Sequence, residues 1–224
     1  DERGIDAILR LLHDEYSIDF SHYKASTVVR RVERRLALNR SGDIDVYVEQ
    51  LRSDPRELNS LYEDLLIGVT RFFRDDDAFE VLEHQIIPEL IEKIPADEQI
   101  RVWVPGCATG QEAYSLALLL HERFNACARP INLKVLATDV HKASLDVASA
   151  GLYSAEQLAG VSADRVQRFF TRKGEGYQVS QALRDCIVFA PHNVIRDAPF
   201  TKVDLVSCRN LLIYFQPHAQ KTVL

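Results

Sequence analysis

The sequence predicts an α/β fold, a Rossmann-like domain carrying a small antiparallel β insertion and preceded by an all-α domain. Three observations predict it. Ile100, Val102 and Val104 alternate like a strand, Gly106 and Gly110 bracket a tight turn, and Ala113, Leu116, Ala117, Leu120 and Phe124 repeat as the apolar stripe of a helix. Helical stripes fill residues 1–68 upstream. Downstream, the apolar runs at 133–139, 187–190 and 203–208 read as further strands. Each ends in polar residues, as parallel strands do where a ligand sits at their carboxyl ends.

Composition bounds the possibilities. The 224 residues suit one or two domains, and 46% hydrophobic content supports a sizeable core. No apolar run reaches the roughly 18 residues that span a bilayer. The N-terminal Asp-Glu-Arg-Gly opens no signal peptide. A formal charge of −6 argues against a general nucleic-acid binder. Cys107, Cys127, Cys186 and Cys208 are widely spaced and form no metal-ligand pattern, so reduced thiols in a cytosolic protein are expected, with no metal site.

In chain order, Ile5, Ile8, Leu9 and Leu12 place a helix over 4–16. A second helix runs from Ala25 to Leu38, with Val28, Val29, Val32 and Leu36 on one face and Arg30, Arg31, Arg34 and Arg35 on another. That basic face reads either as solvated or as a docking face for an acidic protein partner. Asp54-Pro55-Arg56-Glu57 starts the next helix, with Asp54 as N-cap, Pro55 at N1 and Glu57 at the capping-box position; Gly68 stops it. Residues 69–99 are then a linker and connecting helix, with Phe72 and Phe73 set between Arg71 and Arg74 as a staple between domains. The α/β domain covers 100–224 and carries its insertion at about 151–186, built from a short helix over 162–170 and a turn at Gly174–Gly176.

The glycine spacing separates candidate ligands. G-x-x-x-G at 106–110 fails both the G-x-G-x-x-G dinucleotide fingerprint and the P-loop. A nucleoside ligand without pyrophosphate fits, S-adenosylmethionine (SAM) among them, and so does an ordinary strand–helix turn. Asp139 at the tip of the second strand suits the ribose hydroxyls, though it lies further from Gly110 than dinucleotide folds place it; it also suits the N-cap of the following helix. Gly106/Gly110, Asp139, Asn193 and Arg209/Asn210 occupy the tips of four strands, which a parallel sheet brings to one rim. With only four strands the sheet reads as unfinished, the domain lacking its C-terminal end.

Five ordered motifs carry a family resemblance: Val-Thr-Arg-Phe-Phe-Arg (69–74), Gly-Cys-Ala-Thr-Gly-Gln-Glu-Ala-Tyr-Ser (106–115), Ala-Thr-Asp139, His-Asn193 and Cys-Arg-Asn-Leu-Leu-Ile-Tyr-Phe (208–215). Together they resemble the chemotaxis receptor glutamate methyltransferases, the CheR family. The resemblance implies a helical N-terminal domain, a SAM-dependent methyltransferase domain and a β-subdomain. It implies methylation of glutamate side chains on cytoplasmic helices of chemoreceptors, in chemotaxis signal transduction, with S-adenosylhomocysteine as product. Carried over by motif position, SAM contacts fall on Thr70, Arg74, Glu112, Asp139, Asn193, Val194, Arg209 and Asn210, and the strand-tip reading adds Gly106 to the cofactor-binding set. Arg74 and Tyr214 become the pair that positions the reacting groups, and the basic second helix becomes the receptor-docking helix. Gly68 stands where an asparagine is usual, and Gln111 where a glutamate is common. The turn at Lys173–Gly176 is shorter than in members that dock a receptor's C-terminal pentapeptide tether, which sets tether docking in doubt. Glu112 has a plainer role available, since Thr109-Gly-Gln-Glu112 is also a capping box.

The implied chemistry suits these residues. A glutamate carboxylate is ionised near pH 7 and needs no general base. The sulfonium of SAM supplies the activated methyl. The rival readings are a non-catalytic SAM-binding or docking module of the same fold, an NAD-dependent oxidoreductase disfavoured by the failed fingerprint, and a nucleic-acid methyltransferase disfavoured by acidity. No direct membrane insertion is expected.

Overall fold

A computed structural model describes residues 2–66 and 68–224. The helices α1 (Glu2–Tyr16), α2 (Ala25–Asn39), α3 (Ile44–Ser53) and α4 (Pro55–Leu65) come first, then α5 (Asp76–Val81), a π-helical turn (Leu82–Ile86) and α6 (Ile87–Lys93). Next come β1 (Ile100–Pro105), α7 (Gln111–Ala126), β2 (Leu133–Asp139) and α8 (Lys142–Ala150). The insertion holds β3 (Leu152–Tyr153), α9 (Ala163–Phe169), β4 (Phe170–Lys173), β5 (Gly176–Val179) and α10 (Gln181–Asp185). The chain finishes with β6 (Ile187–Pro191), β7 (Leu205–Val206) and α11 (Pro217–Val223). No helix among the described residues is long and apolar enough to cross a membrane.

The chain divides into two compact units, residues 1–67 with 210–224, and residues 68–209. Grouping 210–224 with the helices is not something the sequence reading does. Backbone bonds account for it: the Lys24 N–H donates to Tyr214 O at 2.8 Å, and the Gln216 N–H to His22 O at 2.8 Å.

In the helical unit, Ile8, Leu12, Phe20, Val28, Val32, Tyr47, Leu51, Leu61 and Leu65 are buried. Asp54 caps α4 as expected, accepting from the Arg56 and Glu57 N–H groups. Two expectations fail here. The helix ends at Leu65, with the Leu66 N–H closing onto Tyr62 O, so Gly68 is not what stops it. Glu57 turns into the core instead of completing a capping box. Its Oε1 accepts from Arg35 Nε at 2.9 Å, Tyr47 Oη at 2.7 Å and Asn39 Nδ2 at 2.8 Å, while its Oε2 pairs with Arg35 Nη2. Arg35 therefore leaves the solvated basic face. Arg30 and Arg34 remain exposed and Arg31 is half-buried. Helix α3 is an element with no counterpart in the sequence reading; Asp43 caps it and Tyr47, Val48 and Leu51 bury its inner face.

In the α/β unit the parallel sheet runs β6-β2-β1-β7. β1 pairs with β2 from Ile100↔Leu133 to Pro105↔Thr138, and β2 with β6 from Val135↔Ile187 to Asp139↔Pro191. This register brings the three carboxyl ends level. β7 is shorter than the 203–208 expected, two residues paired to Val102 and Trp103, although the Asp204 and Ser207 N–H groups extend the ladder onto Arg101 O and Trp103 O at 2.8 Å each. Helix α7 is buried continuously from Ala113 to His121, more than a one-face stripe implies. The insertion is antiparallel, in the order β3-β5-β4. Phe72 meets Tyr153 and Phe170 of the insertion edge-on, and Phe73 meets Phe79. Arg165 on α9 lies over the Phe73 ring and pairs with Glu83 and Glu122 at 2.8 Å each.

The Glu57 cluster makes a stability prediction. Burial pushes its carboxyl up, but the hydrogen bonds from Arg35 and Tyr47 outweigh burial and hold it below the ordinary value. A depressed folded pKa contributes stability that is full above the unfolded value of about 4.3 and is lost as pH falls through the folded one. Glu57→Ala strands the Arg35 guanidinium and should cost the helical unit about 3 kcal/mol in urea unfolding at pH 7. The gap between mutant and wild type should shrink on acidification; a gap that is constant with pH would show that packing, not charge, sets the loss.

Candidate functional site at the carboxyl ends of the strands

The turn between β1 and α7 is held in left-handed backbone by Gly106 (φ 67°), Ala108 (φ 47°) and Gly110 (φ 94°). Gly110 is required twice over. Its φ suits glycine, and a Cβ there would lie 2.8 Å from the Ala148 Cβ of α8 and 3.1 Å from Tyr153 Oη. The G-x-x-x-G spacing thus serves close helix approach rather than a pyrophosphate cradle.

Asp139 stands at the end of β2. Its Oδ2 accepts from the Ala108 N–H at 2.8 Å and its Oδ1 from the His141 N–H at 2.9 Å. One carboxylate fastens the β1–α7 turn to the turn after β2. The residue that caps α8 is His141, so Asp139 is not that helix's N-cap. Each carboxylate oxygen has a second lone pair, so the capacity to accept ligand hydroxyls survives. The third loop joins at the same place, since the His192 N–H donates to Asp139 O at 3.1 Å. There Asn193 Oδ1 accepts from the Ile195 N–H at 3.1 Å, and the Asn193 N–H donates to Asp197 Oδ2 at 2.7 Å. The turn fixes the Asn193 side chain. Val194 is half-buried within it.

On the β7 side, Glu112 occupies the first turn of α7. The capping box is absent: Gly110 is the N-cap, and the Thr109 hydroxyl donates to Gln111 Oε1 at 2.8 Å. The Glu112 side chain instead accepts from Ser207 Oγ at 2.6 Å and lies 3.7 Å from Arg209 Nη1. Burial raises its carboxyl above the ordinary value; the Ser207 hydroxyl and the positive charges of Arg209 and Arg74 oppose that rise, and Asp75 adds to it.

Arg209 is fixed by its Nη2, which donates to Arg74 O at 2.6 Å and to Asp75 Oδ2 at 3.0 Å, and by the Phe79 ring 5.0 Å from its Cζ. Its Nη1 is buried with no hydrogen-bond partner. Arg31, Arg101, Arg123 and Arg129 each keep a buried Nε in the same state, so what sets Arg209 apart is the opposite charge of Glu112 beside it. Arg74 sits between Phe73 (φ 50°) and Asp75 (φ 62°), two non-glycine residues in left-handed backbone, each costing about 1 kcal/mol. Its own Nη1 donates to Val69 O at 2.6 Å. Thr70 is half-buried on the same segment.

The structure therefore gathers Arg74, Gly106, Glu112, Asp139, Asn193 and Arg209 within the α/β unit. Asn210 (φ 56°) and Tyr214 belong to the other unit, and so do Arg30, Arg31, Arg34 and Arg35. Ser207 and Asp75 touch the charged groups directly, and the sequence reading missed both. Burial pushes the Cys107 thiol well up and the Cys208 thiol to about 11, so neither is a thiolate nucleophile. The described residues hold no cluster of metal-ligating side chains.

Comparison with known proteins identifies the family. The model for the SAM-binding domain of CheR methyltransferases matches residues 68–224, and the model for their all-alpha domain matches residues 3–66. An uncharacterized 104.1 kDa protein of Rhodobacter capsulatus is 42% identical over 99% of this chain, which spans 23% of that protein. Cher3 of Pseudomonas putida is 34% identical over the whole chain and 83% of its own length. Chemotaxis protein methyltransferase 1 of Pseudomonas aeruginosa is 31% identical over 90% of the chain and 74% of its own length.

Asp139→Ala leaves two backbone N–H groups without acceptors. It should lower the unfolding free energy of the α/β unit by about 1–3 kcal/mol. Losing the hydroxyl acceptor should also weaken a SAM titration by a factor of roughly 30–1000. A loss of tenfold or less, with circular dichroism unchanged, would leave Asp139 as a loop brace alone.

Proposed function

The chain belongs to the CheR methyltransferase family, and from that premise we propose that it uses SAM to methylate glutamate side chains on the cytoplasmic helices of chemoreceptors. The products are glutamate methyl esters and S-adenosylhomocysteine, the setting is adaptation in chemotaxis, and the place is the cytoplasm. The observation that carries the reading is the arrangement of charge at the strand ends. Asp139 is available for ribose hydroxyls. Glu112 and Arg209 stand as an opposed pair 3.7 Å apart, matching the ammonium and carboxylate of an amino-acid end. Arg209 Nη1, which makes no hydrogen bond, is the group a SAM carboxylate would satisfy. Asn193, Val194, Asn210 and Thr70 complete the proposed set of contacts.

Bound SAM supplies a methyl already activated on sulfonium. What remains for the protein is placement. A substrate carboxylate is ionised near pH 7, so no side chain has to take a proton. Arg74 and Tyr214 are assigned to hold that carboxylate in line with the methyl. The hold must be weaker in the ground state than a buried bidentate pair gives, because the substrate loses its charge on reaction. The left-handed residues on either side of Arg74 favour such a role by fixing its backbone while, among the described residues, its side chain is bonded to Val69 O alone.

The test is single-turnover methylation of receptor-bearing membranes with labelled SAM, at saturating SAM and receptor. Tyr214→Phe, which removes one donor, should slow the chemical step by up to ~100-fold, and Arg74→Lys should fail to restore the arginine's function. Near-wild-type rates for both would remove the pair from the mechanism.

For receptor docking, the exposed Arg30 and Arg34 carry the proposal, with Arg31 beside them. Arg35 is committed to Glu57 and contributes by shaping the helix. Arg30→Glu with Arg34→Glu should weaken receptor binding and leave SAM affinity unchanged. Wild-type binding should also weaken as salt rises, since exposed charges are screened beyond about 8 Å at physiological ionic strength. Normal methylation by the double variant at both low and high salt would make the face merely solvated.

A further inference from the structure

We propose that Ser207 is a positioning residue for cofactor binding: its hydroxyl holds the Glu112 carboxylate ionised and oriented to receive the α-ammonium group of SAM. The proposal rests on the SAM reading above and names which cation Glu112 takes and what controls it.

The geometry is specific. Ser207 is buried, and its backbone N–H is used in the ladder to Trp103 O at 2.8 Å, which fixes where its side chain starts. From there Oγ reaches Glu112 Oε1 at 2.6 Å. Hydroxyl–carboxylate bonds of this length, about 2.5–2.7 Å, are the strong, charge-assisted kind. The bond joins the edge strand β7 to the first turn of α7, residues 95 apart in sequence. It occupies one oxygen of Glu112. The other, Oε2, has only the 3.7 Å approach of Arg209, too long for a hydrogen bond.

A carboxylate in this position needs help to stay ionised. Burial is the largest influence on it and favours the neutral acid. The charged and titratable groups acting on or felt by it are Arg209 and Arg74, which favour the anion, and Asp75, Cys107 and Cys208, which do not help it. Arg209 is shared with Asp75 and the Arg74 carbonyl, so its attraction is divided. Among the described residues, Ser207 alone donates a side-chain hydrogen bond to the Glu112 carboxylate. Removing it should leave a carboxyl that protonates more readily and a side chain free to rotate. The α-ammonium of an amino acid sits beside a carboxylate and loses its proton above the roughly pH 8 of a chain terminus. Affinity for SAM should therefore follow a bell in pH, with Glu112 setting the acidic limb and the ligand's own ammonium the alkaline one.

The experiment has two arms. In ligand-free protein carrying isotopically labelled glutamate, the Glu112 carboxyl is titrated by NMR in wild type, Ser207→Ala and Ser207→Thr. Ser207→Ala should move the midpoint up, and Ser207→Thr, which keeps the hydroxyl, should move it less. In calorimetric titrations from about pH 5 to about pH 10, Ser207→Ala should weaken SAM about tenfold near pH 7, equivalent to ~1.4 kcal/mol. The acidic limb should shift upward and the alkaline limb should stay. S-adenosylhomocysteine keeps the ammonium and lacks the sulfonium charge, so it should show the same shifted limb.

An unmoved Glu112 midpoint in Ser207→Ala, or an affinity loss equal at every pH, overturns the proposal and leaves Ser207 a packing residue. A shifted limb with SAM but not with S-adenosylhomocysteine overturns the assignment to the ammonium. Wild-type protein that binds neither ligand overturns the SAM reading itself, while the ligand-free titration still decides whether Ser207 controls Glu112.

Discussion

One carboxylate sets the geometry of the α/β unit. Asp139 accepts from the Ala108 N–H with one oxygen and the His141 N–H with the other, and its backbone carbonyl accepts from His192. Three loops, after β1, β2 and β6, are tied to one residue. Loops that carry binding groups have few packing constraints of their own, so such a tie replaces the core contacts that hold helices and strands. The parallel register makes the tie possible, because it brings Pro105, Thr138 and Ala190 to the same level of the sheet.

The second constraint is the close approach of α7 to α8. Gly110 lets α7 begin where any side chain would strike Ala148, and Tyr153 Oη donates to Thr109 O at 2.6 Å from the insertion. The helix that starts there is buried along most of its length, and it places Glu112 opposite Ser207 of the edge strand. A glycine chosen for packing thus decides where the charged rim begins. The insertion serves the same end, since Tyr153 and Phe170 hold Phe72 and so the segment that carries Arg74.

Much of this was legible in the sequence, and the reasons separate what was from what was not. The strand–turn–helix at 100–126 and the strand at 133–139 were readable because burial imposes a strict period on their residues. Helix α3 was not, because Ile44, Val46 and Val48 alternate in β-branched residues while its buried face, Tyr47, Val48 and Leu51, is short. Gly68 was misread as a helix stop because a glycine after an apolar run is the usual signal, yet Leu66 already ends α4. The candidate ligand-binding residues were legible through motifs, and their partners were not. Ser207 lies within a run read as a strand, and its bond to Glu112 joins positions 95 apart that no local pattern connects. The same holds for Arg35, whose place on a basic face gave no sign of Glu57, Tyr47 and Asn39 closing around it.

Two glutamates withdrawn from solvent, Glu57 buried and Glu112 half-buried, show how burial alone fails to distinguish structure from function. Glu57 and Glu112 both lose solvation on folding, and in both, burial is the largest influence on the carboxyl. Around Glu57 the protein supplies a bidentate guanidinium, a phenol and an amide, enough to hold the carboxyl below its ordinary value. A carboxylate so fully satisfied has nothing left to offer a ligand, and its work is to fix α2 against α4. Around Glu112 the protein supplies one hydroxyl and a distant guanidinium, and the carboxyl stays above its ordinary value. A buried charge left short of partners is costly unless something arrives to complete it. The same shortage appears on Arg209, whose buried Nη1 makes no hydrogen bond and has Glu112 Oε2 3.7 Å away. Two opposite charges 3.7 Å apart suit the zwitterionic end proposed for the ligand. That meeting of two under-partnered opposite charges is what separates Glu112 with Arg209 from Glu57 with Arg35, whose carboxylate and guanidinium satisfy each other.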